Sequence, residues 1–181
     1  WVGFRELKAG GACSVERVAD AHSGQYAVRL KAEGESIAGL NRAYVAGKDA
    51  GAMLLQTRGW MEFWYKAISS KTGQNLRVFV IGMLQDGAAE AGGRRTYTVP
   101  VEHIGDGQWH RGTLHFDYGS SEETRAIQIA PRVNEGGKPG DGEFLIDDIA
   151  VYRAGPDCAV EEGGFSTSAA TASGSTSPTT L

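Results

Sequence analysis

The residues that could carry chemistry do not form a recognised catalytic pattern. The chain of 181 residues has four histidines but neither an HExxH nor a CxxC motif, so a zinc site has weak support. There is no GxSxG motif and no phosphate-binding loop, and the glycine-rich stretches GGRR and GDGQW lack a following helical pattern. Glycoside hydrolysis needs paired carboxylates, whereas Glu62 is a single glutamate on a predicted strand. We therefore predict that the chain is not an enzyme.

The aromatic segment GWMEFWYKA is more informative, because strand alternation divides it into two faces. The predicted core face holds Met61, Phe63 and Tyr65. The opposite face holds Trp60, Trp64 and Lys66. A tryptophan on a solvated sheet face exposes a large flat apolar area, which typically marks a binding surface. Sugars suit such a surface because their C–H faces stack on the ring, although a loop or the other sheet could instead cover either tryptophan.

Alternation in other predicted strands allows several polar side chains to lie on the same face as these tryptophans. They are Arg77, Gln128, Arg132 and His115. We predict that Arg77, Gln128 and Arg132 join Lys66 in donating hydrogen bonds to a bound glycan. Three cations among these donors suggest an acidic or heavily hydroxylated polysaccharide.

Two adjacent aspartates interrupt the apolar strand EFLIDDIAVYR. Neighbouring strand residues point to opposite faces, so Asp147 and Asp148 cannot both be buried or both be solvated. Alternation places Asp147 on the face of Leu145, Ile149 and Val151, where a carboxylate needs a partner. That partner is either a calcium ion near the sheet edge or a pair of hydrogen bonds from loop amides.

Period-two alternation in most segments predicts an all-β fold. Examples are YAVRLKA, NLRVFVIGML, TLHFD and AIQIAPR, separated by turn-forming stretches such as HSG, SSKTG and EGGKPGDG. About ten short strands at regular spacing indicate an antiparallel β-sandwich of the jelly-roll type, with a closed barrel as the less favoured alternative.

Composition indicates one folded domain and a tail. We predict a sandwich domain over residues 1–154 and a Ser/Thr/Gly-rich linker or tail over residues 155–181, which has too little apolar surface to fold alone. The net charge of −4 gives no broad attraction to nucleic acid, and no apolar run is long enough to span a bilayer.

The two cysteines, Cys13 and Cys158, lie near the two ends of the predicted sandwich. First and last strands often neighbour one another in sandwiches, so we predict a disulfide, although two unrelated buried thiols remain the alternative. Such a bridge would contribute about 4–5 kcal/mol in the chain-entropy model and requires an oxidising, extracellular environment.

Four segments in chain order resemble carbohydrate-binding modules of families 4, 9 and 22. They are AHSGQYAVRL, MEFWYKA, GQWHRGTLHF and FLIDDIAVY, spanning about residues 12–153. The resemblance implies a galactose-binding-like jelly roll, non-catalytic binding of polysaccharide and one structural calcium. It places the calcium ligands on Ser23, Gly24 and the pair Asp147–Asp148. The early glutamate of the family is out of register, because Arg5 follows Phe4 where an acid is usual.

Two functions follow from these observations. The first is a secreted or cell-surface carbohydrate-binding module that stacks a sugar on Trp60 and Trp64. The alternative is a structural subunit of an extracellular filament, sheath or surface layer, whose Ser/Thr-rich tail contacts a neighbouring copy.

Overall fold

The computed structural model describes residues 1–45, 58–84, 88–118 and 124–153. Ten strands form in these ranges. The first five are β1 (Val2–Glu6), β2 (Cys13–Val18), β3 (Ala27–Ala32), β4 (Ile37–Val45) and β5 (Arg58–Ser70). The others are β6 (Leu76–Leu84), β7 (Ala89–Thr98), β8 (His110–Asp117), β9 (Thr124–Val133) and β10 (Gly142–Arg153), with a 3₁₀ helix at Val101–His103 between β7 and β8.

The strands form two five-stranded antiparallel sheets that pack face to face. Sheet A has the order β1-β4-β9-β6-β7, and sheet B has the order β2-β3-β10-β5-β8. The predicted β-sandwich is therefore confirmed. Because each sheet has one face in the core, each strand alternates between core residues and residues on an outer face.

The core between the sheets follows the predicted alternation. In β5, Met61, Phe63 and Tyr65 are fully buried, and Leu76 and Val78 of β6 meet them from sheet A. Burying each such side chain contributes roughly 1.5–3 kcal/mol, which fixes the register of both strands. The residues between them in β5 are consequently held on the outer face of sheet B.

Strand β10 departs from simple alternation at the two aspartates. Phe144 and Ile146 are in the core, and after Asp148 the core side is taken by Ile149. The pairing of β10 with β5 shifts register between Asp147 and Ala150, and Asp148 has a left-handed φ of 47°. This β-bulge inserts one extra residue. The prediction that Leu145 and Asp147 share the core face with Ile149 is therefore wrong, since both lie on the outer face.

Three predictions depend wholly or partly on residues outside the described ranges. Cys13 is half-buried and has no disulfide partner among the described residues, while Cys158 lies beyond them. The predicted disulfide and the domain boundary after residue 154 therefore stay predictions, as does a contact made by the tail. Across the described ranges, no helix has the length and apolar character that crossing a membrane requires.

Candidate functional site

The outer face of sheet B carries a row of aromatic side chains that crosses three strands. Tyr152 of β10 lies opposite Trp60 of β5, which in turn lies opposite His115 of β8. The Tyr152 and Trp60 rings stack with centroids 5.3 Å apart and planes 17° apart. The His115 ring lies 6.5 Å from Trp60 at a tilt of 35°. We call these three residues the aromatic row.

Local sequence explains why the row can form. Gly59 precedes Trp60, and a Cβ at this position would clash with the backbone carbonyl oxygen of Tyr152. Glycine therefore allows β5 and β10 to approach closely where their two rings stack. Tyr152 remains 41% exposed, and Trp60 is half-buried.

The charged groups next to the row are already paired. Glu62 lies two residues after Trp60 on the same face, and Arg111 of the neighbouring strand donates a hydrogen bond to its carboxylate. Thr113 lies opposite Glu62 and is exposed, so its hydroxyl is available beside the row. This part of the surface thus combines open rings with a neutralised ion pair and a free hydroxyl.

Trp64, predicted to bind sugar, lies on the same outer face but is covered by a loop. The ring of His22 stacks on Trp64 with centroids 3.7 Å apart and planes 10° apart. Trp109 also approaches His22, edge to face, with centroids 5.9 Å apart and an angle of 63°. His22 of the loop thus stacks on Trp64, which is half-buried as Trp60 is, and the predicted role of Trp64 in binding stays a prediction.

The two aspartates of the bulge hold this loop in place. Asp147 Oδ2 accepts hydrogen bonds from the backbone N–H groups of His22 and Ser23, at 3.0 and 3.3 Å. Asp148 Oδ1 accepts a bond of 2.6 Å from the Ser23 hydroxyl, and its Oδ2 lies 2.7 Å from His22 Nδ1. The bond from Ser23 and then that from His22 lower the pKa of Asp148. We call residues 20–24 the His22 loop.

These contacts bear on the predicted calcium site. The structure does bring Ser23, Asp147 and Asp148 together, and Gly24 follows directly in the loop. However, both carboxylates face N–H and O–H donors, whereas calcium requires six to eight oxygen ligands. In the described ranges, no group of three or more histidine, cysteine, aspartate or glutamate side chains is arranged to hold a metal. Both carboxylates are already engaged by donors of the loop, and calcium stays a prediction.

Lys66, the third residue predicted for this face, pairs with the His22 loop. Its Nζ donates to Asp20 Oδ2 over 2.9 Å, and its side chain is mostly buried. The ammonium group thereby fastens the start of the loop to β5.

Arg132, by contrast, lies on the outer face of sheet A, on the opposite side of the sandwich. Its side chain is 5% exposed, and its guanidinium donates to four neighbouring groups. These groups are the carbonyl oxygens of Leu40 and Pro131, the Asn41 side-chain oxygen and the Glu135 carboxylate. Desolvation by burial lowers the pKa of Arg132, but its partners keep the cation in place.

Arg77 and Gln128 share that opposite face. Arg77 donates to the carbonyl oxygens of Gln74 and Gly136, so it anchors the loop that follows β9. Gln128 is half-buried and makes no hydrogen bond within the part of the chain that is described. The structure therefore divides the predicted binding residues between two faces, and their roles in binding stay predictions.

Two residues of the site were missed in the sequence. Tyr152 occupies the outward position next to Val151, so alternation could have placed it on the outer face, but its position opposite Trp60 depends on the pairing of β10 with β5. His22 carries no such signal, because it lies in a loop whose position depends on contacts with residues more than a hundred positions away.

Comparisons with known proteins agree with the sandwich fold. No protein-family model and no curated protein matches the chain. A solved structure from a study of carbohydrate-binding modules of the β-sandwich superfamily matches with a TM-score of 0.60 and 14% identity, covering 84% of this chain and 56% of its own. The family 11 carbohydrate-binding module of a Clostridium thermocellum cellulosomal cellulase matches with a TM-score of 0.52 and 14% identity, covering 85% and 88%.

A β-1,2-glucanase from Parabacteroides distasonis also matches, with a TM-score of 0.50 and 10% identity, over 84% of this chain but only 23% of the glucanase. Identities this low show the fold and not the ligand. The chain has the two-sheet β-sandwich fold of solved carbohydrate-binding modules.

Proposed function

We propose that this chain is a non-catalytic carbohydrate-binding module whose glycan stacks on the aromatic row. The observation that carries the proposal is the stacked pair of half-buried Trp60 and exposed Tyr152 on the outer face of sheet B. The match to the fold of carbohydrate-binding modules supports the same conclusion, as does the resemblance of four sequence segments to families 4, 9 and 22.

Exposed aromatic area of this kind favours sugar binding for a physical reason. A pyranose ring presents apolar C–H groups on one face and hydroxyls around its edge, and an aromatic ring buries the first while leaving the second hydrated. The hydroxyl of Tyr152 in the row and the exposed hydroxyl of Thr113 beside the row supply hydrogen bonds to the edge of the sugar.

The charges on this face favour a neutral glycan. Lys66 is paired with Asp20, and Arg111 is paired with Glu62, so neither cation is free to meet a uronic acid. Of the three cations predicted to select an acidic or heavily hydroxylated polysaccharide, Arg77 and Arg132 lie on the other face and donate to backbone carbonyl oxygens. We therefore propose neutral polysaccharide as the ligand class, encountered outside the cell.

Titration calorimetry with a panel of neutral and acidic polysaccharides tests the proposal. We expect heat with at least one neutral glycan, and an affinity at least tenfold lower in Trp60→Ala and Tyr152→Ala, which corresponds to about 1.4 kcal/mol. Tyr26→Ala is the matched control, because Tyr26 is 48% exposed and lies outside the row, under Arg17.

Melting temperatures of the variants separate lost binding from lost folding. Unchanged affinity in both row variants would move the site elsewhere. An absence of heat with every glycan would overturn the proposal.

A further inference from the structure

We infer that Trp64 is a second, covered sugar subsite and that the ring of His22 is a cap that a long glycan displaces. This inference rests on the proposed function, since it extends the aromatic row along β5. It predicts that the module distinguishes long from short chains of the same sugar.

Position along the strand is the first support. Trp60 and Trp64 are four residues apart in β5, so both lie on the outer face, separated by about 13 Å. Between them lies Glu62, paired with Arg111. A glycan stacked on the row and running along β5 therefore reaches Trp64 only when it contains several sugar units.

The geometry of the cap is the second support. The His22 ring lies nearly parallel to Trp64 at 3.7 Å, which is the arrangement that a stacked sugar ring would adopt. Its Nδ1 contacts Asp148 Oδ2, as a sugar hydroxyl could. The imidazole thus occupies the stacking position with a flat ring and a polar edge.

The ring can leave without unfolding its loop, which is the third support. The backbone N–H groups of His22 and Ser23 are bound by Asp147, and the Ser23 hydroxyl is bound by Asp148, independently of the imidazole. The His22 side chain is 28% exposed, so it has solvent into which to rotate. Asp148 would then be free to accept a hydrogen bond from a sugar hydroxyl.

An oligosaccharide ladder tests the cap directly. Calorimetry with cello- and xylo-oligosaccharides, from the disaccharides to the hexasaccharides, is compared for the native chain, His22→Ala and the double variant His22→Ala with Trp64→Ala. We expect His22→Ala to raise the affinity for a hexasaccharide at least fivefold and to leave that for the disaccharide unchanged. The double variant should lose the gain. An equal affinity of His22→Ala and the native chain for every hexasaccharide would overturn the inference.

Two controls keep the result specific to the ring. His22→Asn retains a polar group for Asp148 but has no ring, and it should behave as His22→Ala does. Tyr26→Ala removes an exposed ring that does not touch Trp64. It should change neither the affinity for the hexasaccharide nor that for the disaccharide. A gain in Tyr26→Ala equal to that in His22→Ala would show a general surface effect and contradict the cap.

A second measurement needs no sugar. Quenching of tryptophan fluorescence by acrylamide should increase in His22→Ala, and the increase should vanish when Trp64→Ala is added. Unchanged quenching would show that His22 does not shield Trp64, which would contradict the cap.

The outcomes also separate this inference from the proposed function. Loss of disaccharide binding in Trp60→Ala with no gain in His22→Ala supports the row and rejects the cap. A gain in His22→Ala with normal binding by both row variants supports Trp64 and rejects the row. Absence of binding by every variant rejects both.

Discussion

Both outer faces of the sandwich carry aromatic and charged residues, but these residues make different contacts on the two faces. On sheet A, Arg132 and Arg77 lie along the surface and donate their hydrogen bonds to carbonyl oxygens of the same molecule. On sheet B, Trp60 and Tyr152 stack on one another and leave ring area exposed. Arg132 and Arg77 of the first face are paired within the molecule, whereas Tyr152 of the second face keeps exposed apolar surface.

This difference shows why an arginine on a strand is a poor indicator of a binding site. Buried guanidinium groups must satisfy up to five N–H donors, and the nearest acceptors are backbone carbonyl oxygens. The face of an exposed aromatic ring needs no hydrogen-bond partner. Its exposure therefore indicates a surface at which a ligand can bind. The comparison therefore associates the paired arginines of sheet A with stability and agrees with our proposal that binding occurs on the face of sheet B.

The largest effect should come from Arg132→Met. It leaves the carbonyl oxygen of Leu40 and the side-chain oxygen of Asn41 without their donor, so we expect the free energy of unfolding to fall by about 3 kcal/mol. Urea denaturation measures the loss, and glycan affinity should not change. The matched control is Arg111→Met on sheet B. It removes an exposed ion pair with Glu62, which is expected to contribute less than about 1 kcal/mol to stability. Equal losses in the two variants would remove the contrast between the faces.

The next effect concerns the glycine over which Arg132 lies. A Cβ at Gly39 would be 2.5 Å from both Arg132 Cδ and the carbonyl oxygen of Pro131. We expect Gly39→Ala to lower the free energy of unfolding by about 2 kcal/mol, because the arginine has to shift. In an Arg132→Met background the loss should be smaller, which a double-mutant cycle measures. Additive losses would show that the clash with the Pro131 backbone dominates.

The sequence predicted the fold because burial follows local alternation. The core positions of β5 and β6 could be predicted from Met61, Phe63, Leu76 and Val78 alone, since a strand with one buried face has only two registers. The sheet to which each strand belongs could not be predicted. Alternation in β9 shows which face of the strand carries Arg132, but not which sheet contains the strand. Those long-range pairings depend on the whole chain.

The candidate site was predictable only in part, for a similar reason. Trp60 and Trp64 were correctly placed opposite the core face. The bulge at Asp147 and Asp148 reversed the alternation of β10, and no residue type before it signals the extra position. The cover on Trp64 comes from His22, which is distant in sequence from both β5 and β10.

A smaller effect should appear as a pH dependence of the stability that the His22 loop on sheet B contributes. Hydrogen bonds from Ser23 and His22 hold the pKa of Asp148 below its ordinary value of 3.8, so the carboxylate stabilises the fold above that pH. This contribution is lost as the pH falls through the pKa in the folded chain. The melting temperature of Asp148→Asn should therefore lie below that of the native chain near neutral pH. The difference should shrink in acid.

Ser23→Ala is the matched variant for that measurement. It removes the donor that lowers the pKa of Asp148 most, so the difference between native and Asp148→Asn should be reduced in its background. A difference that stays constant from neutral pH to below pH 3.8 would show that the Asp148 charge does not hold the loop.

The smallest effect concerns calcium. It distinguishes a His22 loop held by hydrogen bonds from one held by a metal ion. A bound ion at a hundred times its dissociation constant would add about 2.7 kcal/mol to stability, which raises the melting temperature by several degrees. Because Asp147 and Asp148 are already engaged by the N–H and O–H groups of the His22 loop, we expect equal melting temperatures in millimolar calcium and in chelator. A rise that disappears in Asp147→Asn and Asp148→Asn would show instead that the carboxylates exchange these donors for the ion. In that case the loop covering Trp64 would be controlled by calcium and not by hydrogen bonds alone.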